Sequence, residues 1–409
     1  MKKLLFLLIL IQYIKPYYKP SYLWDEAYWG FPARINTKIG PAIRIKYGST
    51  KSGQNNLGEK TNVLNIYGNE NLYDIARAVP QEILDRNPTS ILNTLWQKPF
   101  APGLGQLTIN SQFSLLETNL DFGTGITKHW STGVAINFFK IKFNNICYND
   151  LTPKSSIPAS IGEATWDDFF KNFVTNMNKY GMNLPQKSTS SLIKEFEFSF
   201  TYAQEYKTIA GKIYWSTTVG SAILIGISNA DTPLALGHGL GYNKPFIFSF
   251  SAAVEPLKWL IIGATAGGAT RQTQSVEGVR MKTFDAQNGL IKLTPGLASV
   301  NNGTLGVAAL YAQVNLNDRW NISGSYAYNT QSRTKLIPKD KTIFETDIVN
   351  TDSVLDSWSM RSISFSIEHV IKSKKKTKAF AIDFNIPLNG RNIFNLIMSG
   401  VNAKIKWVW

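Results

Sequence analysis

The sequence predicts an all-β, transmembrane, antiparallel up-and-down barrel of fourteen strands, with twelve as the alternative. Three observations carry that reading: period-two alternation through the second half of the chain, connections that alternate between short and long, and an unusual composition. Only 17% of the 409 residues are charged, while 44% are hydrophobic and 12% aromatic. An average soluble domain carries about 25% charge. Mean hydropathy is −0.13, and beyond the N-terminus no charge-free apolar run reaches the roughly 18 residues that a spanning helix needs. Apolar residues spread over every second position, with one face polar, suit a barrel instead.

The alternation is explicit. Phe246, Phe248, Phe250, Ala252 and Val254 share one face, opposite Ser249, Ser251 and Glu255. Phe196, Phe198, Phe200 and Tyr202 oppose Glu195, Glu197, Ser199 and Thr201. Ile322, Gly324, Tyr326 and Tyr328 oppose Asn321, Ser323, Ser325 and Asn329, and Phe380, Ile382, Phe384 and Ile386 oppose Ala381, Asp383 and Asn385. Successive side chains of a strand point to opposite faces, so each segment has one apolar and one polar surface. A soluble sandwich gives the same local pattern, and connection lengths separate the two. Strands are expected near 104–116, 119–129, 131–144, 193–207, 210–225, 244–255, 257–270, 304–317, 319–332, 357–371, 377–388 and 399–409. Short turns then alternate with long excursions at 145–192, 226–243, 271–303 and 333–356. Outer-membrane barrels have short periplasmic turns and long outer loops.

Trp130, Trp259 and Trp320 each follow a short turn, which puts them at one rim, and the chain ends on the alternating Lys404-Ile405-Lys406-Trp407-Val408-Trp409. Trp prefers the membrane–water boundary, because its ring is apolar and its N–H wants a wet partner. Trp407 and Trp409 are expected at the same rim. An apolar core from Leu4 to Ile11 behind Lys2 and Lys3 reads as an export signal over residues 1–20, with 21–34 as an N-terminal segment and 35–409 as the barrel. These features together resemble Gram-negative outer-membrane barrels, whose final aromatic residue is read by the barrel-insertion machinery. In size and strand number the chain looks closest to hydrophobic-substrate transporters similar to the long-chain fatty acid channel. The resemblance is architectural, covers about 104–409, and carries no binding residue across. It implies an outer-membrane location and lipid and glycolipid neighbours.

Further strands are expected at 35–47, where Ile35, Thr37, Ile39, Ile43, Ile45 and Tyr47 share a face, and at Asn62–Tyr67; both together make fourteen. Pro41 suits only an edge or bulge. Between 69 and 103 the period becomes helical (Leu72, Ile75, Ala76, Val79, Ile83), which fits a periplasmic insertion, a partial plug or a plain linker. Within 145–192 a better helix lines up Trp166, Phe169, Phe170, Phe173, Val174, Met177 and Tyr180. It is a candidate loop gate, as a constriction or a lid, and packing on neighbouring loops is the plainer alternative.

Catalytic and metal chemistry find little support. One cysteine and three histidines make no transition-metal set, and no cofactor is expected. His369 shares the outward parity of Ile363, Phe365 and Ile367, which leaves a lipid-facing hydrolase as a minor alternative. Gly237-His238-Gly239-Leu240-Gly241 lacks the Lys-Ser/Thr of a phosphate loop. The net charge of +15 is scattered, apart from the lysine run 372–378, so nucleic acid is not an expected partner. That run reads as a solvated turn able to meet anionic headgroups. The inward charges Glu195, Glu197, Glu255, Glu368, Asp383, Lys404 and Lys406 are the candidate lumen lining, with bracing ion pairs as their plainer role. The expected function is passive passage of a small solute, hydrophobic solutes included. The alternative is a surface structural or host-contact protein with a closed lumen.

Overall fold

Twelve strands run antiparallel and close on themselves in the computed structural model. The structure describes residues 40–77, 84, 91–97, 103–127, 129–180, 184–209, 211–228, 244–287, 289–292, 294–373 and 376–407. The expected signal segment, the 237–241 loop, Lys374, Lys375 and Trp409 therefore lie outside the described residues. In chain order the strands are β1 (Pro41–Thr50), β2 (Gln106–Gly125), β3 (Trp130–Asp150), β4 (Thr189–Thr208), β5 (Gly211–Ser228) and β6 (Lys244–Leu257). They continue as β7 (Leu260–Ala269), β8 (Leu305–Asn315), β9 (Trp320–Gln331), β10 (Trp358–Lys372), β11 (Lys376–Arg391) and β12 (Met398–Trp407). Each pairs with its neighbour, and β1 closes the cylinder: Ala42 stands opposite Lys404 of β12 and Asp121 of β2.

Fourteen strands is corrected to twelve, for two physical reasons. The segments 104–116 and 119–129 are one strand, paired to β3 from Leu107–Asp150 to Gly125–Ser131. Glu117 breaks the apolar run there, but its side chain is turned inward and buried, so the strand continues through it. Asn62–Tyr67 does not join the barrel. Ser52–Gln54 and Lys60–Asn62 form a small separate sheet with Ile393–Phe394, and Val63, Leu64, Ile66 and Tyr67 are buried in the core. Merging one pair and adding β1 leaves twelve and preserves parity, so the start of β1 and the end of β12 share the short-turn rim. One further pairing, Glu70–Asn71 on β2, is added at the opposite rim.

The outward face is apolar where the alternation places it. Phe246, Phe248 and Phe250 are about half exposed (48%, 48% and 51%), as are Phe365 and Ile382. At the short-turn rim Trp130 packs on Tyr202 with ring centres 5.0 Å apart, Tyr202 lies 5.3 Å from Trp215, and Trp320 lies 4.5 Å from His369. Strands β2 to β5 run for 18 to 21 residues, whereas about ten tilted residues suffice to cross a bilayer core. Their surplus lies at the long-loop end, where they pair beyond the reach of β1 and β6.

Inside, the two halves differ. Towards the long loops, Leu107, Ile109, Phe113, Leu115, Phe139, Ile141, Phe143 and Ile193 turn inward and share one core with Leu64, Ile66, Leu72, Ile75, Leu92 and Leu95 of the segment between β1 and β2. That segment leaves β1 and enters β2 at the long-loop rim, so a place at the short-turn rim is excluded. It contains helices α1 (Leu72–Arg77) and α2 (Ile91–Gln97). Towards the short turns many inward positions are small or polar, among them Ser131, Ser199, Thr218, Ser323, Ser325 and Ser366, all partly accessible, while Tyr214, Ala253, Ile261 and Tyr311 form a separate buried apolar cluster.

Candidate functional site

The lumen and the segment that fills its outer half are the candidate site. The described residues of this segment, 51–77, 84, 91–97 and 103–105, are held there by burial and by a polar anchor. Glu70 is 1% exposed. Its carboxylate accepts from the backbone N–H of Ile291 at 3.2 Å and from that of Leu290, in the connection between β7 and β8. A Cβ on Gly289, whose φ is +82°, would collide with that carboxylate, so glycine is required at this approach. Burial pushes the Glu70 carboxyl up to about 7, against the opposing pull of Lys292 and the two N–H donors. Lys292 in turn lies 3.6 Å from Asp352 of the β9–β10 connection, and Ser353 Oγ donates to the Tyr67 carbonyl at 2.9 Å. Arg77 stacks over Tyr73 and approaches the Phe284 ring. The N-terminal segment is thus tied to two outer connections as well as to the wall.

Those connections carry a small sheet of their own, Gln274–Arg280, Pro295–Asn301 and Lys335–Pro338, with a core of Val276, Met281, Val300, Leu336 and Phe344. Between β3 and β4 lie α3 (Glu163–Lys171) and α4 (Phe173–Asn178). The expected stripe is real as a packing surface: Trp166, Phe169, Phe173 and Met177 are buried in the core shared with the described residues between β1 and β2, and Phe170, Val174 and Tyr180 pack against it. Trp166 Nε1 donates to Asp150 Oδ2 at 2.7 Å, and the Phe170 and Phe173 rings stack at 5.5 Å. One continuous helix across 163–181 is not formed; Asn172 interrupts it.

Of the inward charges, Glu195 meets Lys244 Nζ at 2.7 Å and Asn137 Nδ2 at 3.3 Å, all three buried in the lumen. Glu197 lies one rung below Glu195 on the same face of β4 and is partly accessible. Glu368 pairs with Lys404 and accepts from Asn321 Nδ2 at 3.2 Å. Glu255 accepts from the Tyr214 hydroxyl, and Asp383 is buried near Lys46 and Ser364. The backbones of Lys406 and Trp407 belong to β12. These groups are spread along the wall and make no single cluster. Lys46, Arg44, Glu117 and Lys244 are buried inward charges that the sequence reading did not single out. For Arg44 and Lys46 the signal was present, since Ile43, Ile45 and Tyr47 take the outward parity. For Lys244 it was not. A register shift between Gly220 and Ala222 lets Lys244 turn inward although its parity is that of Phe246.

The His369 ring rests on Trp320 at the short-turn rim, and His129 Nδ1 lies 3.2 Å from the Ala203 carbonyl. No hydroxyl or carboxylate partner joins either ring among the described residues, and no group of three His, Cys, Asp or Glu side chains there could hold a metal ion.

No protein-family model and no curated protein matches the chain. Solved structures with similar outlines include an outer-membrane channel of Pseudomonas putida F1, at 9% identity and a TM-score of 0.47, covering 92% of this chain and 99% of that one. The transport unit of the autotransporter AIDA-I from Escherichia coli follows at 9% identity and 0.37, covering 93% and 94%. The Pseudomonas putida toluene transporter TodX gives 10% and 0.32, covering 96% and 94%. At these values the likeness adds nothing to the architecture already read from strand pairing.

Proposed function

We propose that this chain is a passive channel of a Gram-negative outer membrane, carrying a small apolar solute past a gate to which residues 51–77, 91–97 and 103–105 contribute. The supporting observation is the change of lining at mid-height. The outer half of the wall is apolar and is covered by a segment whose strand pairing with the barrel, among the described residues, is limited to Glu70–Asn71, supplemented by side-chain bonds of Asn62 and Asn65 to β2 and of Gln54 to β11. The inner half carries many small, partly accessible polar positions, as a water-filled vestibule requires, beside one buried apolar cluster of Tyr214, Ala253, Ile261 and Tyr311. If the segment withdraws, an apolar surface of Leu107, Phe113, Phe139 and Phe143 faces the passage, which favours an apolar solute over an ion. The outward Phe and Ile band faces lipid in this reading, and the short-turn tryptophans sit at the periplasmic interface. The aromatic stripe of α3 and α4 acts as the lid above the segment. No catalytic role is assigned to any residue.

A closed surface protein is the second reading, favoured by the burial of Glu70 and its ties to the outer connections. Flux into liposomes separates the two. Deleting 163–181 removes the lid and leaves the barrel ladder intact, so the channel reading expects faster entry of a small aromatic solute than the wild type shows. A folded deletion variant that matches empty liposomes favours the closed protein.

A further inference from the structure

On the outward face at the long-loop rim, a cleft of about 490 Å³ is lined by Tyr328, Ser359, Arg361, Asn389, Arg391 and the turn Gln54–Gly58. Its floor is strand: Arg361 stands opposite Tyr328 on β9 and Asn389 on β11, and Ser359 stands opposite Arg391. The two arginines are therefore diagonal neighbours about 8 Å apart, both aimed away from the lumen. Its upper wall is the 52–62 hairpin, pinned by the Gly390 N–H donating to Gln54 Oε1 at 2.7 Å.

The height of the cleft identifies what it meets. Tyr328 lies eight residues along β9 from Trp320, which is about 20 Å along the barrel axis for a tilted strand. With Trp320 at the inner interface, Tyr328 and Arg361 stand about 5 Å below the far edge of a roughly 25 Å apolar band, a gap that an arginine side chain spans to the outer headgroups. Charge points the same way. On the strands, Glu117, Glu195, Glu197, Glu368 and Asp383 all take the inward parity. The nearest acid on the upper wall, Glu59, is held by Asn55 Nδ2 at 3.0 Å and is not part of the lining. Neither Arg361 nor Arg391 has an ion-pair partner among the described residues, whereas Arg333 pairs with Asp356 at 3.2 Å. Two forked donors beside a tyrosine hydroxyl match a phosphate monoester better than a zwitterionic headgroup.

We propose that this cleft binds a phosphate group of an outer-leaflet glycolipid, through Arg361 and Arg391, and so fixes the barrel in that leaflet. The site rests on the outer-membrane placement above but not on solute passage. The full barrel is refolded into nanodiscs containing lipid A with both phosphates, or the same glycolipid dephosphorylated, and retained glycolipid is counted by native mass spectrometry. Wild type retains the phosphorylated form alone. R361Q/R391Q retains at least about tenfold less, as expected for loss of two charge-assisted contacts. K140Q/K142Q, which removes exposed basic residues on the far side of the same rim, retains the wild-type amount. Equal retention of the two glycolipids, or undiminished retention by R361Q/R391Q, overturns the proposal. If R361Q/R391Q loses its heat-shifted band, R391Q alone is measured, with reduced retention expected and wild-type retention contrary. A wild-type barrel without a heat-shifted band defeats the membrane placement, whereas a folded one that retains no glycolipid defeats only this site.

Discussion

Raising the pH through neutrality should loosen the N-terminal segment, because Glu70 must then carry a charge in a place without water. Its carboxyl is pushed from 4.5 to about 7 by burial, and each pKa unit corresponds to about 1.4 kcal/mol. The charged, docked form is therefore disfavoured by about 3 kcal/mol relative to a released segment whose Glu70 has its ordinary value. The sign follows from proton counting: between about 4.5 and 7 the docked state holds more protons than the released one, so docking weakens as pH rises across that window and levels off above it. From pH 5 to pH 8 the opening constant should rise about 70-fold. Hydrogen exchange of the α1 amides, where Leu72, Tyr73, Ile75 and Ala76 are buried, reads that constant once intrinsic rates are corrected. Glu70→Gln should flatten the dependence to within about threefold. A Glu70→Gln barrel that keeps the wild-type pH dependence would refute the assignment of the switch to this carboxyl.

Two other predictions follow from the same geometry. Lys244→Met strips the buried Glu195 of its cation, which costs about 3–5 kcal/mol; it should lower the urea midpoint of the barrel, and adding Glu195→Gln should recover most of the loss. A single variant as stable as wild type would show that the pair does not brace the wall. Protease applied to intact cells should cut within 271–303 and 333–356 and spare the lysine run 372–378. First cleavage at that run would invert the topology.

The barrel was legible because its outward face obeys one rule. Phe246, Phe248 and Phe250 meet lipid or nothing, so every second residue must be apolar, and the connection lengths add the closure. Strand count was less legible, because Glu117 reads as an interruption until the lumen is there to receive it. The sequence does place an apolar stripe at Trp166–Tyr180, but what covers it depends on residues some ninety positions earlier. Glu70 left no trace: a single acid in a weakly periodic stretch becomes an anchor only when Leu290 and Ile291 arrive from 220 residues away. Lys244 was hidden by the bulge that reverses its side. The outward arginines were readable as charges but not as neighbours, since register across β10 and β11 sets their diagonal.

Single-channel recording in planar bilayers tests the central claim most directly. The wild-type barrel is compared with one in which 55–103 is replaced by a flexible linker that still joins β1 to β2. Both must first give the heat-shifted band of a folded barrel. If the segment between β1 and β2 gates a continuous lumen, the replacement opens steady conductance well above the wild type, and entry of a small aromatic solute rises with it. If the folded replacement stays at the bilayer background for ions and solute alike, the lumen is closed by the wall itself, and the channel account is wrong.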